Sequence, residues 1–131
     1  MGTVLTVDDH LDTCHLVERL VRHLGHDVTC VESGGAAIAF LARRIPDLVI
    51  LDVRMDGMSG LDVLGRMRDG LPTRDVPVVM YSAHDDDDLR RRCAALGASG
   101  YLLKNGTKLG LVEPTLRRLL PAGAGNPAAT S

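Results

Sequence analysis

Short apolar runs recur along the chain, each closed by a polar residue and followed by a longer segment with helical spacing. Leu48, Val49, Ile50 and Leu51 form an unbroken run between Asp47 and Asp52. The run has no polar face and is far too short to cross a membrane, so it reads as a central strand buried on both sides. Thr3 to Val7 (TVLTV), Asp27 to Val31 (DVTCV), Val76 to Tyr81 (VPVVMY) and Ser99 to Leu103 (SGYLL) read as further strands.

Between these runs the period lengthens. Leu11, Val17, Leu20, Val21 and Leu24 share one stripe of a helix predicted from about Asp9 to Leu24, with Asp12, Glu18, Arg19 and Arg22 off the stripe. Gly25 stops it. Ser33 is a good N-cap for a small-residue helix from Ala36 to Arg44, which Pro46 ends. Leu61 to Arg68 places Leu61, Leu64 and Met67 on one side, and Gly70 and Pro72 close it. A fourth helix spans Asp85 to Leu96 and stops at Gly97. A fifth follows, with Thr107 as a candidate cap. Pro114 either kinks that helix or begins it as its first residue. Five strands alternating with five helices imply an α/β fold, a parallel sheet covered on both faces by right-handed crossovers.

Composition narrows the function classes. A chain of 131 residues with 45% hydrophobic residues suits one domain with a sizeable core. We expect that domain over residues 1–120. Residues 121–131 (PAGAGNPAATS) carry no charged side chain and read as a disordered tail or truncated linker. A net charge of -2 and only three aromatic residues, Phe40, Tyr81 and Tyr101, offer neither the electrostatics nor the stacking surface for direct nucleic-acid binding. Cys14, Cys30 and Cys93 are scattered, odd in number and form no CxxC. They are expected as separate thiols in a reduced, cytoplasmic compartment. The start of the chain shows no signal peptide. Met1-Gly2 with Thr6 spells a myristoylation pattern, but Val4, Leu5 and Val7 belong to the first strand. Asn105-Gly106-Thr107 spells a glycosylation sequon but reads as a turn.

The candidate chemistry lies where the strands end. The first strand is followed by Asp8 and Asp9, the third by Asp52, the fourth by Ser82 and the fifth by Lys104. Carboxyl ends of parallel strands share one edge of the sheet, where open α/β folds place their ligands. Three carboxylates crowded there repel one another unless a cation joins them, and hard oxygen ligands suit Mg²⁺. A cation, a lysine and a hydroxyl around one carboxylate make a site for phosphoryl transfer. Taken alone, Asp52 could also be no more than a loop cap.

With these positions in order, the sequence resembles the receiver domains of bacterial two-component response regulators, from Thr3 to about Leu120. The resemblance rests on Asp8 and Asp9, Asp52, Ser82 and Lys104, on their spacing, on the GMSG turn (Gly57 to Gly60) and on GASGYLLK (Gly97 to Lys104). It implies the flavodoxin-like strand order 2-1-3-4-5, for which a receiver is itself a standard example. It further implies a phosphoprotein of phosphorelay signal transduction, and not an enzyme in the ordinary sense. Asp52 would take a phosphoryl group from a histidine kinase or histidine phosphotransfer protein as an aspartyl phosphate. Asp9, Asp52 and the backbone carbonyl of Arg54 would bind magnesium, with Asp8 helping directly or through water. Lys104 would pair with the phosphoryl oxygens and Ser82 would move to meet them. Tyr101 would turn inward as the switch residue, or else simply fill the core. The fourth helix, fifth strand and fifth helix would then present a changed surface to an unknown output partner or domain, with phosphorylation-dependent homodimerisation left open. No membrane contact is expected.

The sequence departs from the family at Asp56 and Asn105, where prolines are usual. Arg54 and His84 stand at positions that tune phosphoryl lifetime in the family, although a solvent-facing loop arginine is an equal reading of Arg54. His10 reads as a helix-start residue. Asp85 to Asp88 reads as an acidic helix start paired with Arg90, Arg91 and Arg92. Two other functions compete. One is a phosphorylation-independent pseudo-receiver. The other is a phosphatase with an Asp nucleophile, disfavoured because Arg54 stands where a second Asp would be needed.

Overall fold

The computed structural model describes residues 2–70, 72–104 and 112–120. Five strands alternate with five helices: β1 (Thr3–Val7), α1 (Leu11–His23), β2 (Asp27–Val31), α2 (Gly34–Leu41), β3 (Leu48–Leu51), α3 (Gly60–Asp69), β4 (Val78–Ser82), α4 (Asp87–Ala95), β5 (Gly100–Leu103) and α5 (Val112–Leu119). The strands form one sheet in the order β2-β1-β3-β4-β5, and every pairing is parallel. This is the flavodoxin-like order expected from the sequence.

The unbroken apolar runs are explained by the two cores they serve. Leu5, Val7, Val49, Leu51, Val78 and Met80 face a cluster built with α2, α3 and α4. Their neighbours Val4, Leu48, Ile50, Val79 and Tyr81 face a second cluster with Val17 and Val21 of α1 and Val112 and Leu116 of α5. Period-two alternation thus sends successive side chains to opposite faces, and both faces are covered. Each fully buried leucine, such as Leu5, Leu48, Leu51 and Leu64, contributes about 1.5–3 kcal/mol by leaving water.

Several boundaries differ from expectation. Helix α2 begins at Gly34 and ends at Leu41, because the Ser33 hydroxyl accepts from Ala36 N and draws both glycines into the first turn. Strand β4 begins at Val78, after Pro77, and extends to Ser82, which pairs with Leu103. Helix α1 starts at Leu11, later than expected, with His10 as N-cap residue. Helix α4 runs from Asp87 with Asp86 as its cap, accepting from Asp88 N and Leu89 N. Pro114 is neither a kink nor the first residue of α5. It lies third, in the first turn, where a missing N–H is tolerated. Thr107, Asn105, the sequon and residues 121–131 lie outside the described residues.

The cysteines require a correction. Cys14 and Cys30 are not separate thiols but are joined by a disulfide, and Cys93 alone is free and buried. The helical phase of α1 and the register of β2 bring the two sulfurs together, which spacing along the chain does not reveal.

Candidate functional site

The parallel register of the strands sets the site. Asp8 N donates to Val31 O at 3.1 Å, so the backbone after β1 stays aligned with β2. Asp52 N donates to Val7 O at 2.9 Å, which places the residue after β3 beside the end of β1. Lys104 N donates to Ser82 O at 2.7 Å and fixes the end of β5 against β4. Three hydrogen bonds of extended backbone therefore gather residues far apart in sequence at one sheet edge.

Asp8 and Asp52 are buried there, 2% and 4% exposed, whereas Asp9 is exposed. Asp8 Oδ1 accepts from His10 N at 2.9 Å, and its Oδ2 accepts from Lys104 Nζ at 2.5 Å. Lys104 Nζ also lies 3.5 Å from Asp52 Oδ2. Burial pushes the Asp52 carboxyl from the ordinary 3.8 up to about 6, with the Asp8 charge adding to the rise. Lys104 and the backbone N–H of Arg54 pull in the opposite direction. A carboxylate so placed favours the arrival of a cation.

Asp8, Asp9, His10 and Asp52 each offer a ligand atom within 4.8 Å of the others. Three hard carboxylate donors, two of them buried, suit a divalent metal ion. The presence of His10 in this group is new. Its Nδ1 lies 3.0 Å from Asp9, 3.2 Å from Asp8 and 4.0 Å from Asp52. As N-cap it makes no side-chain capping bond, so its ring is free to face the acids. Its place directly after Asp8 and Asp9 was the available signal.

The loop beyond Asp52 is shaped by two local devices. Ser59 and Asp62 form a capping box at the start of α3. Gly60 N donates to Val53 O at 2.8 Å, and a Cβ on Gly60 would fall 2.0 Å from Asp52 O. Only glycine allows that close approach, which accounts for the last residue of GMSG. Arg54, Asp56 and His84 have exposed side chains at the rim.

Ser82 is fully buried, and its Oγ accepts from His84 N at 3.0 Å. Tyr101 is half-buried and donates its hydroxyl to His84 O at 2.7 Å. The Arg90 guanidinium lies 4.6 Å from the centre of the Tyr101 ring and also pairs with Asp85 at 3.1 Å. Both residues expected to switch are thus tied to the backbone of His84. Of the expected helix pairs, Arg92 meets Asp88 at 3.8 Å, but Arg90 reaches Asp85 outside the i, i+4 rule.

Residues 4–114 match the response regulator receiver domain family, so the chain belongs to that family. It is similar to response regulator PleD of Caulobacter vibrioides, 36% identical over 101 residues. The match covers 77% of this chain but only 22% of PleD, so the chain spans under a quarter of that relative. Among solved structures it resembles chemotaxis protein CheY4 of Vibrio cholerae, with a TM-score of 0.85, 27% identity and coverage of 92% and 99% of the two chains. It also resembles response regulator TrrA of Thermotoga maritima, solved in complex with Mg²⁺ and BeF, with a TM-score of 0.81, 27% identity and coverage of 92% and 100%.

Proposed function

We propose that Asp52 is the phosphoacceptor of a two-component switch, supplied by a histidine kinase or histidine phosphotransfer protein. The observation that carries this reading is the convergence of buried Asp52 with Asp8, Asp9 and Lys104 at the carboxyl edge of the sheet. A carboxylate oxygen of Asp52 attacks the phosphorus of a phosphohistidine. The P–N bond breaks, the imidazole leaves, and an acyl phosphate forms. Asp8, Asp9, Asp52 and the Arg54 carbonyl would hold Mg²⁺, whose charge neutralises phosphoryl oxygens. TrrA, solved with Mg²⁺ and BeF, supports that assignment. Lys104 pairs with a second phosphoryl oxygen.

Ser82 then turns its hydroxyl to the phosphoryl group and gives up His84 N, the bond it now accepts. Tyr101, bonded to His84 O, loses its anchor as that loop shifts. The surface of α4, β5 and α5 changes with it, as a population shift whose size follows the difference in phosphoryl contacts between states. In this role the chain is a phosphoprotein that takes part in its own phosphorylation and dephosphorylation rather than an enzyme. The described residues contain no helix long and apolar enough to cross a membrane. We place the chain in the cytoplasm because it would meet its kinase there. A phosphorylation-independent binding module would have no need for the complete acidic set.

Intact mass after incubation with Mg²⁺ and acetyl phosphate tests the reading. One added phosphoryl group is expected, absent without Mg²⁺ and absent from Asp52→Asn. An adduct that persists in Asp52→Asn would reject Asp52 as acceptor.

A further inference from the structure

The Cys14–Cys30 disulfide closes a separation of 16 residues and has no part in the phosphoryl-transfer reading. Cys14 lies in the first turn of α1, where its N–H bonds to His10 O. Its Sγ lies 3.5 Å from the backbone carbonyl oxygen of Asp8. Cys30 stands on the edge strand β2, opposite Thr6, and the next residue, Val31, accepts the N–H of Asp8. The bridge therefore joins the two segments, α1 and β2, that hold Asp8 from either side.

The two sulfurs differ in access. Cys14 is fully buried, whereas Cys30 is partly exposed on an edge strand. An external thiol or disulfide meets Cys30 first. Cys93 does not compete, because it is buried on the core-facing side of α4.

We propose that Cys14 and Cys30 form a reversible dithiol–disulfide couple that sets how tightly the Asp8–Asp9 loop holds its cation. The proposal rests on reading Asp8, Asp9 and Asp52 as a metal site. Its oxidant is a low-molecular-weight disulfide. The Cys30 thiolate attacks that disulfide, forms a mixed disulfide and expels one small thiolate. The Cys14 thiolate then attacks Cys30 Sγ, closes the bridge and expels the second. Two electrons pass to the external disulfide and two protons leave the cysteines. A small dithiol reverses both steps. In the bridged state the first turn of α1 is covalently fixed to β2, and the Asp8–Asp9 loop that connects β1 to α1 is preorganised for a cation. In the dithiol state that tether is replaced by a Cys14 S–H beside the Asp8 carbonyl, a weak donor at best.

The test is Mg²⁺ titration calorimetry on the full chain after treatment with glutathione disulfide or with a phosphine reductant. Alkylation of the denatured chain, read by intact mass, reports the state: one reactive cysteine when bridged, three when reduced. Mg²⁺ should bind at least about threefold more tightly in the bridged state, the difference preorganisation supplies. Cys93→Ser should keep that difference, and Cys30→Ser should lose it. Equal affinity in the two states, or three reactive cysteines after disulfide treatment, would overturn the proposal and leave the metal site standing. No Mg²⁺ binding in either state would overturn the metal site and the proposal together.

Discussion

Lys104 Nζ lies 2.5 Å from Asp8 and 3.5 Å from Asp52, so the ammonium at the end of the last strand is held chiefly by the acid at the end of the first. Both partners of the close pair are largely buried, with side chains 12% and 3% exposed. Removing one partner of such a pair leaves a buried charge without compensation. Lys104→Ala is therefore expected to cost about 3 kcal/mol in urea unfolding at neutral pH without Mg²⁺. Mg²⁺ should restore part of the loss, because a cation replaces the missing charge. A variant as stable as the parent would contradict the pairing.

Asp52 gives a pH dependence of defined sign. Its carboxyl titrates near 6 in the folded chain against an ordinary 3.8, so the folded state keeps a proton that the unfolded state has released. Stability from this group is full below about pH 4 and is lost as pH rises through about 6. Asp52→Asn removes the penalty. It should exceed the parent by on the order of 2 kcal/mol at pH 7.5 without Mg²⁺, and match it near pH 4. Denaturant unfolding at the two pH values checks this. A variant less stable than the parent at pH 7.5 would reverse the sign.

Gly60 and Gly65 lie on the same helix and should respond oppositely to alanine. A Cβ at Gly60 would meet backbone atoms only, Asp52 O at 2.0 Å and Val53 Cα at 2.9 Å. Gly60→Ala should cost at least about 2 kcal/mol and weaken Mg²⁺ binding, since the Asp52 backbone must move. Gly65 has nothing within 4 Å, so Gly65→Ala should stabilise by about 0.5–1 kcal/mol through helix propensity. Thermal unfolding and Mg²⁺ titration of the pair separate the two effects.

Arg68 holds the opposite side of the domain. Its guanidinium donates to Thr73 O, Arg74 O, Val76 O and Gly97 O at 2.8–3.3 Å, joining the end of α3 to the segments before β4 and β5. Arg68→Ala should cost about 2 kcal/mol, because several carbonyls lose a charged donor together. Arg68→Lys should recover less than half, since an ammonium lacks the planar fork. Mg²⁺ affinity should be unchanged in both, as read by calorimetry.

Much of this architecture was legible in the residues. Runs such as Leu48 to Leu51 announce buried strands, and parallel strands bring Asp8, Asp52, Ser82 and Lys104 to one edge whatever the loops do. Other features depend on three-dimensional phase. His10 meets the acids with its ring as the extended N-cap residue of α1, making no side-chain capping bond. Cys14 meets Cys30 only through the helical phase of α1 and the register of β2. Arg68 gathers carbonyls whose convergence no local pattern encodes. Gly34 and Gly35 are weak helix formers, and the cap at Ser33 outweighed that weakness.

The most direct measurement of the central claim is borohydride trapping after reaction with Mg²⁺ and acetyl phosphate. Borohydride reduces an aspartyl phosphate to homoserine, which peptide mass spectrometry assigns to one position. Homoserine is expected at position 52 and is lost when Mg²⁺ is omitted. Homoserine at position 8 or 9 instead, or phosphate stably bound to His10 or His84, would contradict it.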